Sequence, residues 1–112
     1  MDKKTKAADL GQGIAAANEV KHAHYATLLK RFAGNDTLTQ RARLAAALQH
    51  APVTTYDARK YLDIYDVPAR CMELRESGLH IDTLRVSQRT DAGIIHRRIG
   101  LYVLRSGGVR ND

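Results

Sequence analysis

Between Asp36 and Gly78 the chain carries start and stop signals for three short helices in a row, and this punctuation limits the folds open to it. Asp36 or Thr37 opens the first helix, which carries Leu38, Ala42, Ala45 and Leu48 at helical spacing, and Pro52 closes it. The piece "VTT" at 53–55 is short and extended, and Thr54 followed by Asp57 has the form of a capping box with Asp in place of Glu. A second helix of about eight residues, "TYDARKYL", turns Ala58 and Leu62 inward, and "DIYD" at 63–66 connects it to the third. The third, "DVPARCMELRESG", has Asp66 as its cap, Pro68 in its first turn, Cys71 and Leu74 as its buried pair and Gly78 as its stop. Leu79 can pack back on the last turn.

After Gly78 the period changes. "HIDTLRVSQ" at 80–88 alternates as a strand does, "RTDAG" supplies a bend through Asp91 and Gly93, and "IIHRRIGLYVL" at 94–104 is a second strand. Three helices are therefore followed by one β-hairpin. Ahead of them, residues 14–33 are Ala-rich and helical by propensity, with Ile14, Ala17, Tyr25, Leu28 and Phe32 roughly on one face, and Gly34 and Asn35 end that helix. The division expected is a flexible basic tail at 1–13 with Lys3, Lys4 and Lys6, an N-terminal helix within 14–35, a compact domain over 36–105, and a loose tail at 106–112 weakened by Gly107 and Gly108. The apolar face of the N-terminal helix either pairs two protomers into a homodimer or is buried on the protomer's own domain.

The 112 residues suit one domain, and five Tyr, one Phe and no Trp point to a small aliphatic core. A formal net charge of +6 and a pI near 9.8 favour polyanionic partners, nucleic acid before acidic membrane. The single cysteine, Cys71, excludes an internal disulfide and any multi-cysteine zinc site, and fits a reducing cytoplasm. No apolar run approaches the roughly 18 residues of a spanning helix, and the N-terminus lacks the apolar stretch of a secretory signal. His22 and His24, two apart on a helix, point to different faces, and His50, His80 and His96 are scattered, so no metal site is expected. No Ser/His/Asp order, paired-carboxylate motif or phosphate-binding glycine loop stands out, so neither a catalytic residue nor a cofactor is expected, and the chain does not read as an enzyme.

The order helix, short strand, helix, tight connector, helix, hairpin resembles a winged helix-turn-helix domain, in particular the small ones of phages and prophages. The residues that carry the resemblance are Thr54, Thr55 and Ala58 in a "TT-x-x-A" start, Arg70, Cys71, Leu74, Arg75 and Gly78 in the third helix, Ile81 and Thr83 in the next strand, and Tyr102 and Leu104 in the last. It covers residues 37–104, about 60% of the chain. It implies an α+β fold, mainly helical, with a three-helix core, a wing and one extra N-terminal helix. It also implies a sequence-specific binder of double-stranded DNA, with the third helix in the major groove and the wing beside it, acting as a transcriptional regulator.

Candidate contacts follow from that docking. Base edges are read mainly by Arg, Lys, Asn and Gln, so Arg70 suits the reading role, with Ala69 small enough for close approach and Glu73 on the same helix. Arg75 lies nearer the helix end, toward phosphate, and Tyr65 in the connector is a further contact candidate. The bland reading is that Arg70 and Arg75 pair with Glu73 or Glu76. The third helix is not basic, whereas Arg85, Arg89, Arg97, Arg98 and Arg105 face one Asp across 85–105. The hairpin carries the positive field, with Arg89 near the tip and Arg97 and Arg98 expected on opposite faces of its second strand. Such arginines supply affinity and salt dependence, or else they blunt an edge strand against aggregation. Cys71 reads as core. The near-neutral third helix also keeps open a protein-interaction module, such as a phage-encoded inhibitor of a host protein, and an excisionase-like architectural role would use the same DNA contacts.

Overall fold

The computed structural model describes residues 18–109, with side chains through Arg105; the Lys3, Lys4 and Lys6 segment, Ile14, Ala17 and residues 110–112 lie outside the described residues. The elements are α1 (described over 18–31), α2 (Thr37–His50), β1 (Val53–Thr54), α3 (Thr55–Tyr61), α4 (Val67–Glu76), β2 (Leu79–Arg89) and β3 (Ile95–Val109). The architecture is α+β: a helical core with an antiparallel sheet in the order β1-β3-β2. No helix among the described residues is long and apolar enough to cross a membrane.

The helix starts obey their caps. Asp36 accepts from the Thr39 amide at 3.1 Å and from the Thr39 hydroxyl at 2.6 Å, and these bonds hold its carboxyl below the usual range. Thr54, the last residue of β1, accepts from the Asp57 amide at 3.0 Å, so strand passes directly into α3. Asp66 accepts from the Ala69 amide at 3.2 Å. Gly78 ends α4 with φ +112°, a left-handed conformation that glycine adopts without a Cβ penalty.

One core joins all of these elements. Leu44, Ala47 and Leu48 of α2 meet Val53, Ala58, Leu62, Ile64, Val67, Cys71 and Leu74, and Ile81 and Tyr102 close it from the sheet. The buried stripe of α2 is therefore Leu44, Ala47 and Leu48. Leu38 stands in solvent and Ala42 and Ala45 are only half-buried, a correction to the spacing expected, because the helix turns Arg43 inward as well. Tyr25 and Leu28 of α1 are buried in this same core, with Phe32 packed against it. Lys21 of α1 reaches the carboxylate of Asp57 at 3.0 Å, and Gln88 of β2 donates to the other Asp57 oxygen at 2.9 Å. The described part of the apolar face of α1, Tyr25, Leu28 and Phe32, is thus packed on its own domain.

The sheet is larger than a hairpin. β3 is central: it pairs with β1 at Val53–Tyr102 and Thr54–Leu101, and with β2 from Arg89–Ile95 down to Leu79–Val109. β3 continues through Gly107 and Gly108 to Val109, so most of the expected loose tail is strand. The ladder is irregular there: pairing passes from Ile81–Leu104 to Leu79–Val109, with residues 105–108 between.

Candidate nucleic-acid interface

The site is built from the tip of the hairpin inward. Residues 90–94 turn the chain, with the Thr90 amide donating to the Ile94 carbonyl at 3.0 Å and the Gly93 amide to the Thr90 carbonyl at 2.9 Å. Arg89 donates to the Gly93 carbonyl at 2.8 Å, closing the turn with its own side chain. The tip is also tied to α3. The Asp91 amide donates to the Tyr56 hydroxyl at 3.2 Å, and the Asp91 carboxylate pairs with Lys60.

Below the tip the register slips. Val86 pairs with Ile99 but Gln88 pairs with His96, so Arg97 and Arg98 of β3 together oppose Ser87 of β2. This is a β-bulge, and Arg98 takes the left-handed conformation with φ +60°. The bulge sets both arginines against one residue of β2 and interrupts the regular alternation of the strand there, and both residues, with His96, Ile99 and Gly100 beside them, line one groove.

α4 meets the sheet through Arg75, whose Nε donates to the Ile81 carbonyl at 2.8 Å and whose Nη2 donates to the Thr83 hydroxyl at 2.8 Å. On the other side of α4, Arg70 turns toward α2. Its Nε lies 2.8 Å from Glu73 Oε1, and Arg41 of α2 lies 3.9 Å from that oxygen. The Arg70 side chain is only 15% exposed. Pro68 and Met72, one turn apart, are left as the exposed face of α4 toward the hairpin.

Between α3, α4 and the hairpin lies an open groove of about 990 Å³. Arg59, Arg75, Arg85, Arg97 and Arg98 line it against one carboxylate, Asp91. Asp91 is already paired with Lys60. Among the described residues, none of Arg59, Arg85, Arg97 and Arg98 has a carboxylate within 4.0 Å. Tyr56, Pro68, Met72 and Ile99 add apolar surface to the same groove. An anion entering here meets a positive field from two helices and two strands, with little internal neutralisation.

Of the residues singled out by sequence, Arg75, Arg85, Arg97 and Arg98 come together in this groove. Ala69 is half-buried with its amide capped by Asp66. Arg70 and Glu73 pair with each other beside α2. Arg89 closes the turn, and Arg105 pairs with Asp82, holding that carboxyl below the usual range. Tyr65 is 89% exposed and sits in a smaller recess with Arg59, Asp63, Ile64 and Asp66. Sequence reasoning passed over Arg59 and Met72. Met72 was detectable, because it falls one turn after Pro68 and off the Val67–Cys71–Leu74 stripe.

No curated protein and no solved structure shows significant similarity to the chain. The family model described as a winged helix-turn-helix domain matches residues 39–107, which span α2 to β3 and contain every residue of the groove. The chain belongs to the winged helix-turn-helix domain family, a DNA-binding fold.

Proposed function

We propose that the protein binds double-stranded DNA with this groove, α4 entering the major groove and the β2–β3 wing lying along the backbone. The observation that carries the reading is the convergence of five arginines on one concave surface whose single carboxylate is already paired. Arg59, Arg85, Arg97 and Arg98 sit on the rim as phosphate ligands, and Arg75 holds α4 against β2 at the angle the groove requires. In this reading the protein acts by occupying a specific site, without chemistry. It is a cytoplasmic transcriptional regulator of a phage or mobile element, the setting in which the small domains it resembles occur. Arg70 and Glu73 act through the placement of α4 on α2, since their charges are spent on each other.

The test is selection of a binding site from a random duplex library, followed by a salt titration of the selected site. Four phosphates neutralised by the rim arginines predict a slope of log K on log salt of about −3.6. Alanine at Arg85 or Arg97 is expected to weaken every sequence equally and to lower that slope by about 1. Absence of salt-dependent binding to any duplex would refute the reading. A complex with another protein that is blocked by Met72→Arg would then favour the interaction-module alternative, because Met72 is the exposed apolar centre of the same surface.

A further inference from the structure

We infer that α4 reads thymine methyl groups, with Met72 as the specificity-determining contact. The inference rests on the DNA-binding reading and deepens it. In the major groove, guanine is read by Arg or Lys, adenine by Asn or Gln, cytosine by a carboxylate, and thymine by apolar contact with its C5-methyl. The side chains that α4 presents to the groove leave little choice among these, since Ala69 and Glu76 do not line it. Val67, Cys71 and Leu74 are buried. Arg70 is engaged by Glu73, and the Arg70 Nε and Glu73 Oε1 atoms are shielded from solvent. Arg75 has its Nε and Nη2 committed to Ile81 and Thr83 of β2. The Asp66 carboxylate caps the helix, and the Ser77 hydroxyl donates to the Leu74 carbonyl at 2.7 Å.

What faces the groove from α4, apart from tethered Arg75, is Pro68 and Met72. Met72 is 58% exposed, and unlike a lone surface hydrophobic it stands inside a concave surface, with Pro68, Tyr56 and Ile99 lining the same groove. The rim around it is cationic, so the occupant is a polyanion that also offers an apolar point at the centre of its contact surface. Duplex DNA has that composition where thymine methyls project into the major groove between two phosphate backbones. A thioether on three rotatable bonds adapts to such a methyl better than a branched side chain would. The helix therefore discriminates by shape and methyl burial, while the arginines supply affinity.

The experiment replaces each thymine of the selected site, one at a time, with deoxyuridine, which removes the methyl and keeps every hydrogen-bonding group. The full chain is titrated with each duplex at fixed salt, and Met72→Ala is titrated in parallel. Thermal melting of the variant checks its fold; the exposed position makes that check easy to pass. At one or two positions deoxyuridine is expected to weaken binding roughly four-fold, the equivalent of one buried methyl-sized group. Met72→Ala is expected to lose a similar factor on the thymine duplex and to show no further loss on the deoxyuridine one. Wild-type binding that ignores every deoxyuridine substitution overturns the inference, as does a Met72→Ala protein that keeps the wild-type sensitivity. A selection that returns no thymine-containing motif, with salt-dependent binding intact, also overturns it and leaves DNA binding standing. Loss of all duplex binding by the wild-type protein would remove both.

Discussion

The Nε of Arg43 donates to the backbone carbonyl of Leu62 at 2.6 Å, placing a guanidinium from the middle of α2 at the C-terminal end of α3. The same side chain donates to the carbonyls of Phe32, Gly34 and Asp63, at 2.6, 3.0 and 3.2 Å, and is 1% exposed. Two helix ends, those of α1 and α3, thus present their unpaired carbonyls and negative dipole ends to one buried cation. Burial pulls the Arg43 pKa down, and Asp63 and Asp36 pull it back. Removing this side chain strands carbonyls in the interior. Arg43→Ala is expected to cost about 3 kcal/mol or more, a large part of the stability of a domain this size. Arg43→Lys should rescue little, because one ammonium cannot span four carbonyls on two helices. Urea melts of the two variants check this; a wild-type midpoint for either would show that water replaces the guanidinium at no cost.

Cys71 lies on α4 with no exposed surface, and burial pushes its thiol up to about 11 even though Arg75 pulls the other way. The thiolate is the reactive form, so a disulfide reagent at pH 8 should modify Cys71 only as fast as the domain opens. Adding sub-denaturing urea should speed the reaction in proportion to the unfolded population. Immediate stoichiometric modification of the folded protein would contradict the packing of α4. Cys71→Ser should destabilise by about 1–3 kcal/mol through an unpartnered hydroxyl, and Cys71→Ala should bind DNA normally.

His24 is half-buried against His50, with ring centroids 4.2 Å apart and its Nε2 shielded from solvent without a hydrogen-bond partner. Desolvation first, and the neighbouring His50 second, lower its pKa from the ordinary 6.5. Its folded pKa lies below its unfolded one, so protonation favours the unfolded chain. Well above pH 6.5 both states are neutral at this residue and it adds no pH dependence. As the pH falls below 6.5 the unfolded state takes up the proton first, and stability declines until the folded state titrates too. The carboxyls of Asp36 and Asp82, held low by their hydrogen bonds, act in a separate window below their ordinary 3.8. Thermal midpoints measured from pH 7.5 to 5 should fall in the wild type and fall less in His24→Leu. Parallel curves for the two proteins would assign the dependence elsewhere.

The elements were legible because each begins and ends on a residue with one dominant backbone preference. Asp36, Thr54 and Asp66 cap as their side chains predict, and Gly78 stops α4. The site was legible only in part, because charge count does not say where a charge goes. Arg70 has the residue type expected of a base reader, yet it lies on the side of α4 that faces α2, where Glu73 three residues on and Arg41 on α2 claim its surroundings. Arg43 has the spacing of an exposed residue beside Ala42, and its burial depends on carbonyls from two distant helix ends. Arg97 and Arg98 sit at a bulge that interrupts strand alternation, and the bulge has no side-chain signature in "HRRIG". Arg59 reaches the groove only once α3 packs beside the hairpin.

That bulge makes a prediction that separates folding from binding. Arg98 holds φ at +60°, a conformation that costs a residue with a Cβ roughly 1 kcal/mol and glycine almost nothing. Arg97, beside it, has no such strain. Arg98→Gly is therefore expected to leave stability unchanged or to raise it by up to about 1 kcal/mol, whereas Arg97→Gly should lower it by about 0.5–1 kcal/mol through lost strand entropy. Both variants should bind duplex DNA more weakly, each with the salt slope reduced by about 1, because both residues line the groove and neither has a carboxylate partner among the described residues. The pair is measured by thermal melting and by salt titration on the same preparations. If Arg98→Gly melts as low as Arg97→Gly, the left-handed backbone is relaxed rather than strained. If it melts higher and binds DNA as tightly as the wild type, the bulge serves the fold of the wing and not the aim of its arginine. Gain of stability together with loss of affinity would mean that strain is maintained at this position in order to bring a second arginine onto the DNA side of the wing.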